Sequence, residues 1–204
     1  MIIVVDYGMG NLGTVATKVK KMDPSVLITS NPEEISQADK IILPGVGSFK
    51  AGMENLKDRN LISILDKKVV REKIPILGIC LGMQLFTKKS EEGFVDGLGW
   101  IDAETIRFRF HDNRNGLKIP HMGWNTITIK NHHPLLRDLG DQSRFYFVHS
   151  YHVRCENPEN IVALTEYGYP FPSVISRENI IGVQFHPERS HKFGMKILKN
   201  FLEG

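Results

Sequence analysis

Cys80 stands in Gly78-Ile79-Cys80-Leu81-Gly82, with an apolar run before it and a helical pattern after it. A reactive side chain on a sharp strand-to-helix turn has this pattern, because flanking glycines remove the Cβ atoms that would collide where strand and helix cross. Such a turn sets the sulfur at a helix start, where free N–H groups and the macrodipole favour thiolate. It also lets the Leu81 N–H face an oxyanion. A second constellation is His186-Pro187-Glu188, after the apolar run Gly182-Val183-Gln184-Phe185. The imidazole can take a thiol proton and give it to a leaving group, Glu188 can hold the ring, and Pro187 restricts their relative direction. Cys–His nucleophilic catalysis is the chemistry these types suggest.

Other readings of the same residues stand beside it. Cys80 can be a small buried residue, as most free cysteines are, and Cys155 has no context beyond that. His186, Glu188, His191 or the His132-His133 pair could ligate zinc. No Cys/His cluster has structural-zinc spacing and no H-E-x-x-H occurs, so neither metal nor cofactor is expected. His111, His132 and His133 lie in polar surroundings and read as solvated; His121, His149 and His152 sit among aromatics and read as core or site residues. Gly8-Met9-Gly10-Asn11-Leu12-Gly13 fits the dinucleotide fingerprint after a strand. The acid that should end the next strand is missing from Ile28-Thr29-Ser30-Asn31, so a tight glycine turn is the expectation there.

The elements that must position these groups follow from periodicity. Residues 2–5, 26–29, 40–43 and 76–79 are short apolar strands, separated by helical patterns over 11–22, 49–70 and 81–89. That alternation predicts a parallel sheet covered on both faces. Residues 100–110, 124–130, 145–155, 161–167, 172–176 and 180–185 are rich in aromatic and β-branched residues, with turn signals between them, and predict an antiparallel portion. An amphipathic helix is expected over 191–202. No linker or repeat divides the 204 residues, so one domain over 1–204 is expected.

Composition narrows the function classes. With 41% hydrophobic and 24% charged residues the chain is globular, and a net charge of +3 is too mild to argue for nucleic acid. No apolar run approaches a membrane span, no basic region precedes the first apolar stretch, and two cysteines make no disulfide framework. A reduced, cytoplasmic setting is the expectation.

With both constellations in hand, the sequence resembles the class I (triad) glutamine amidotransferases. Within them it is most similar to the glutaminase subunits of imidazole glycerol phosphate synthases. Asp6-Tyr7-Gly8-Met9-Gly10-Asn11, Leu43-Pro44-Gly45-Val46-Gly47-Ser48-Phe49, Pro120-His121-Met122-Gly123-Trp124-Asn125 and Tyr146-Phe147-Val148-His149-Ser150-Tyr151 carry that likeness. It implies a flavodoxin-like three-layer α/β sandwich whose mostly parallel sheet has an antiparallel C-terminal portion. It implies that Cys80, His186 and Glu188 hydrolyse L-glutamine through a glutamyl thioester. Val46, Gly47 and Leu81 would form the oxyanion hole; Gly45, Gly47, Gln84, Glu92, Ser150 and Tyr151 would hold glutamine. Trp124, Asn125, Tyr146 and Arg189 would face a (β/α)8 barrel synthase of the HisF type, in a heterodimer that channels ammonia into histidine biosynthesis. The glycines flanking Val46 suggest a peptide that turns only when the partner holds its acceptor.

The sequence departs from the commonest form of that subtype at Arg189, where lysine is usual, at Gly52, and over Ser190-His191-Lys192-Phe193-Gly194-Met195. These features look like paralogues that supply ammonia to a sugar amidotransferase in surface-polysaccharide synthesis. A redox-sensing relative without catalysis and a cysteine peptidase or esterase on the same turn are the other classes. Intact Cys80, His186, Glu188 and Gln84 argue against the first, and the glutamine-pocket matches argue against the second.

Overall fold

The protein is seen in a computed structural model that describes residues 1–110, 116–140 and 142–204; His111 lies outside the described residues. Its first half alternates β1 (Ile2–Val5), α1 (Leu12–Lys20), β2 (Val26–Thr29), α2 (Pro32–Ser36), β3 (Lys40–Gly45), α3 (Phe49–Asp58), α4 (Leu61–Leu65), β4 (Ile76–Cys80) and α5 (Leu81–Leu85). Then come β5 (Lys89–Ser90), β6 (Val95–Asp96), β7 (Ala103–Arg107), β8 (His121–Thr126), β9 (Thr128–Ile129), β10 (Arg144–His149) and β11 (Tyr151–Cys155). β12 (Ile161–Glu166), β13 (Pro170–Arg177), β14 (Ile180–Val183) and α6 (His191–Glu203) follow.

One eight-stranded sheet has the order β2-β1-β3-β4-β14-β13-β12-β9. β2, β1, β3, β4 and β14 pair in parallel, and β13, β12 and β9 continue antiparallel. The doubly wound start and antiparallel extension are those expected from sequence. Side-chain alternation divides the core into two layers. Ile2, Val4, Ile42, Leu77 and Ile79 pack with Val15, Val19, Ile197 and Phe201 on one face, while Ile3, Val5, Ile41, Leu43 and Ile76 pack with Leu56, Leu65, Leu81 and Leu85 on the other. Helices therefore cover both faces, and the carboxyl ends of β3, β4 and β14 meet at the centre of one edge, where open α/β sheets place their ligands.

Four readings change. The stretch expected as one strand over 124–130 is divided between β8, which starts at His121 and pairs with β10, and β9, which pairs with β12 in another sheet. The apolar stretch 145–155 is not one strand: it breaks at Ser150, β10 pairing with β8 and β11 with β7 in different sheets. The helix after Cys80 stops at Leu85 rather than Lys89, because the Thr87 hydroxyl donates to the Gln84 carbonyl and the Leu98 N–H takes that of Leu85. α2 is new. Asn31 caps it by accepting the Glu33 N–H, with Pro32 at its first position, a start signal overlooked beside so short a helix.

Candidate active site

Cys80 ends β4 in a conformation few L-residues adopt, φ 54° and ψ −107°. The neighbouring glycines make that turn possible. A Cβ on Gly82 would stand 1.8 Å from the Leu43 carbonyl oxygen, and one on Gly78 would stand 2.7 Å from the Gly82 carbonyl carbon. Gly45, opposite Cys80 in the parallel register, would meet the Tyr7 hydroxyl at 2.3 Å. Three bare backbones thus let β3, β4 and α5 close on one sulfur. The dinucleotide-like loop serves the same contact: Gly10, at φ 98°, sits where a Cβ would lie 3.1 Å from the Pro44 oxygen, whereas a Cβ on Gly13 would meet nothing within 4 Å among the described residues. A glycine turn is what that loop is.

β14 delivers the second constellation beside β4. His186 and Glu188 are both buried, and His186 Nδ1 lies 2.9 Å from Glu188 Oε1. The turn is pinned: the His186 N–H donates to the Tyr146 carbonyl, and the Ser190 hydroxyl donates to the His186 carbonyl at 2.6 Å. His186 Nε2 makes no hydrogen bond among the described residues. Burial alone would push the imidazole down, but Cys80 and then Glu188 outweigh it and raise the pKa to about 10. An imidazole with one nitrogen held and the other unbonded, near enough to Cys80 to be raised by it, is equipped to move a proton.

A cavity of about 230 Å³ opens beside the sulfur, lined by Val46, Gly47, Cys80, Leu81, Gln84, Glu92, Pro120, Val148, His149, Ser150 and Tyr151. The structure brings together every residue expected to touch glutamine except Gly45, which lies behind this wall against Tyr7 and Leu81. One Glu92 oxygen accepts the Phe49 N–H at 2.7 Å, tying it to the start of α3. The Val46-Gly47 segment, expected to receive an oxyanion, is the exposed part: Val46 is 49% exposed, and Gly47 has φ 125° with Met9 against its Cα.

Sequence reasoning left three neighbours unassigned. Gln184, fully buried, places Nε2 3.6 Å from Cys80 Sγ; a polar residue inside an apolar strand was the available signal. The Tyr7 hydroxyl is buried without a partner among the described residues, and burial, then Cys80, push its pKa far above the ordinary range. His149 Nδ1 lies 2.8 Å from the Tyr151 carbonyl, so it carries the proton and its Nε2 must accept from His121 Nδ1 at 3.0 Å. Burial lowers both imidazoles, His121 to about 4, so the pair is neutral. His133, expected to be solvated, is half-buried and caps a short 3₁₀ turn by accepting the Leu135 N–H, which a polar neighbourhood in sequence did not betray. Among the described residues no group of three His, Cys, Asp or Glu is placed to hold a metal.

Residues 3–204 match the family Glutamine amidotransferase class-I. The chain belongs to the class I glutamine amidotransferases. This amidotransferase is 55% identical over 203 residues to imidazole glycerol phosphate synthase subunit HisH 2 of Methanococcus maripaludis, covering 100% of this chain and 99% of that one. It is 45% identical over 203 residues to HisH 2 of Pseudomonas aeruginosa, with the same coverage. Its fold is similar to that of PurLQS from Thermotoga maritima, at TM-score 0.72 and 18% identity, over 99% of this chain and 97% of that one.

The amidotransferase also carries an aromatic patch. Trp124 and Tyr146 are cross-strand partners, their rings 6.0 Å apart; Arg189 lies over Tyr146 at 5.8 Å and His191 stacks on Trp124 at 5.1 Å. Trp124 is 43% and Met122 62% exposed. Asn125 does not join them. Strand alternation turns it to the other face of β8, where Nδ2 donates to the Glu166 carbonyl at 2.9 Å and lies 3.3 Å from His121 Nε2.

Proposed function

We propose that this chain is the glutaminase subunit of an imidazole glycerol phosphate synthase. Cys80 thiolate attacks the carboxamide carbon of L-glutamine, and the oxyanion is received by the Leu81 N–H and a peptide N–H of the Val46-Gly47 segment. The His186 imidazolium gives its proton to the nitrogen, which leaves as ammonia. A glutamyl thioester remains. Water, deprotonated by His186, adds to it and releases glutamate and the thiolate. Glu188 keeps the ring oriented throughout. The observation that carries this reading is the buried His186–Glu188 pair, its second nitrogen unoccupied, beside a cysteine held at positive φ on the cavity wall.

Gln84 and Glu92, with Ser150 and Tyr151, suit the amino-acid end of glutamine. The exposed Trp124–Tyr146–Arg189 patch suits a barrel-shaped synthase partner as the other half of a heterodimer, which receives the ammonia. A cytoplasmic location fits this role; among the described residues no helix is long and apolar enough to cross a membrane.

A second reading keeps the chemistry and changes the acceptor to a sugar. Arg189 and His191, two of the sequence departures, lie together on the Trp124–Tyr146 patch, where a different partner would be selected. Mixing the chain with each type of partner, with glutamine and the matching acceptor, decides between them. Nitrogen incorporation and stimulated glutamate release with the histidine-pathway synthase support the first; incorporation only into a sugar would replace it.

A further inference from the structure

Tyr151 contributes a carbonyl that can only accept, and this fixes a run of side chains. Gln84 lies 2.9 Å from it and must present Nε2. The same Nε2 lies 3.1 Å from Gln184, which must therefore present its own Oε1. One amide group then remains on Gln184. It is Nε2, 3.6 Å from Cys80 Sγ, and it can only donate. The amide directions are thus set by backbone chemistry, and all three side chains are buried, with Gln184 at 0% and Gln84 at 5% exposure.

We propose that Gln184 is a positioning residue that donates a hydrogen bond to the Cys80 sulfur, held in that orientation by Gln84, so that the cavity wall and the nucleophile are one connected unit. The catalytic part of this rests on the reading of Cys80 as the nucleophile. A donor aimed at sulfur stabilises thiolate over thiol and restrains Sγ in the short, strained turn. Among the described residues, the titratable groups facing the sulfur from other elements are His186 with Glu188 behind it, Tyr7, and Glu92, His149 and Tyr151 around the cavity. None of them is altered when only Gln184 is changed.

The test uses Gln184→Met, which preserves volume and removes the donor, and Gln184→Glu, which keeps an acceptor for Gln84 but puts oxygen against sulfur. Iodoacetamide labelling of Cys80 is followed by peptide mass across pH, alongside kcat and KM for glutamine. Gln184→Met is expected to label about tenfold more slowly at pH 7, with its profile displaced to higher pH, and to lose kcat more than it raises KM. Gln184→Glu is expected to label more slowly still. Wild-type labelling by either folded variant overturns the contact. Labelling needs no glutamine, so the two readings separate: slowed labelling together with a Cys80→Ala protein that still turns over glutamine sinks the nucleophile and leaves the contact standing.

Discussion

The Cα of Gly82 lies so close to the Leu43 carbonyl that a methyl group there would fall 1.8 Å from the oxygen. Neither partner can yield, since one is backbone of a central strand and the other the first turn of α5. Gly82→Ala is therefore expected to destabilise the fold by about 3 kcal/mol, lowering Tm by about 6–12 °C. Gly13→Ala, with open space around it, should be neutral or stabilise by about 0.5–1 kcal/mol. Equal melting temperatures for the two variants would refute the close-approach account of the turn.

Cys80→Ala is expected to abolish glutamine hydrolysis with the fold intact. Cys80→Gly should be equally inactive yet more stable than Cys80→Ala by about 1 kcal/mol, because only glycine relaxes at φ 54°. Thermal denaturation and glutamate release read both effects. Turnover surviving in either variant would remove Cys80 from the mechanism.

Glu188→Gln should impair turnover less than His186→Ala, because orienting the ring is secondary to moving the proton. If the glutamine variant proved the more damaged, the two roles would have to be reassigned. The comparison is kcat/KM at a single pH for both variants.

Stability should pass through a maximum near pH 6.5. Above it, His186 contributes stability that is complete below its ordinary 6.5 and lost as pH rises toward its folded value of about 10. Below it, His121 and His149, neutral by burial, contribute stability present above 6.5, with His121's share lost as pH falls toward about 4. Urea midpoints across pH test this. Cys80→Ala should flatten the alkaline limb by removing the leading influence that raises His186, and His121→Leu should flatten the acid limb; limbs unmoved by these changes would exclude these groups as their source.

Trp124→Ala should leave Tm nearly unchanged, since the ring is 43% exposed, yet weaken the complex with a barrel partner by about 2 kcal/mol, roughly 30-fold in Kd. Titration calorimetry with the partner measures it. Unaltered affinity would place the docking surface elsewhere.

Much of this was legible in the chain itself. Residues 2–5, 26–29 and 76–79 are apolar runs long enough for a strand and too short for a helix, and the structure makes each a parallel strand. Gly78, Cys80 and Gly82 announced the sharp turn because its requirement is steric and local. Asn125 misled, because adjacency to Trp124 in sequence is opposition on a strand, where neighbouring side chains leave by opposite faces. The break at Ser150 was equally hidden, since its cause is that two different sheets claim the residues to either side.

By itself, then, the sequence determined the strands, the turn that strains Cys80 and the His–Pro–Glu step, all of which follow from sterics and propensity within a few residues. Only the tertiary structure decided that Gln84 and Gln184 join the cavity to the sulfur, that His121 and His149 pair beside it, and that Asn125 leaves the face that Trp124 presents. Gln184 and Cys80 lie 104 residues apart, and their meeting depends on β14 choosing β4 as its neighbour. That pairing is settled by burial of the whole sheet, which leaves no mark at any single position.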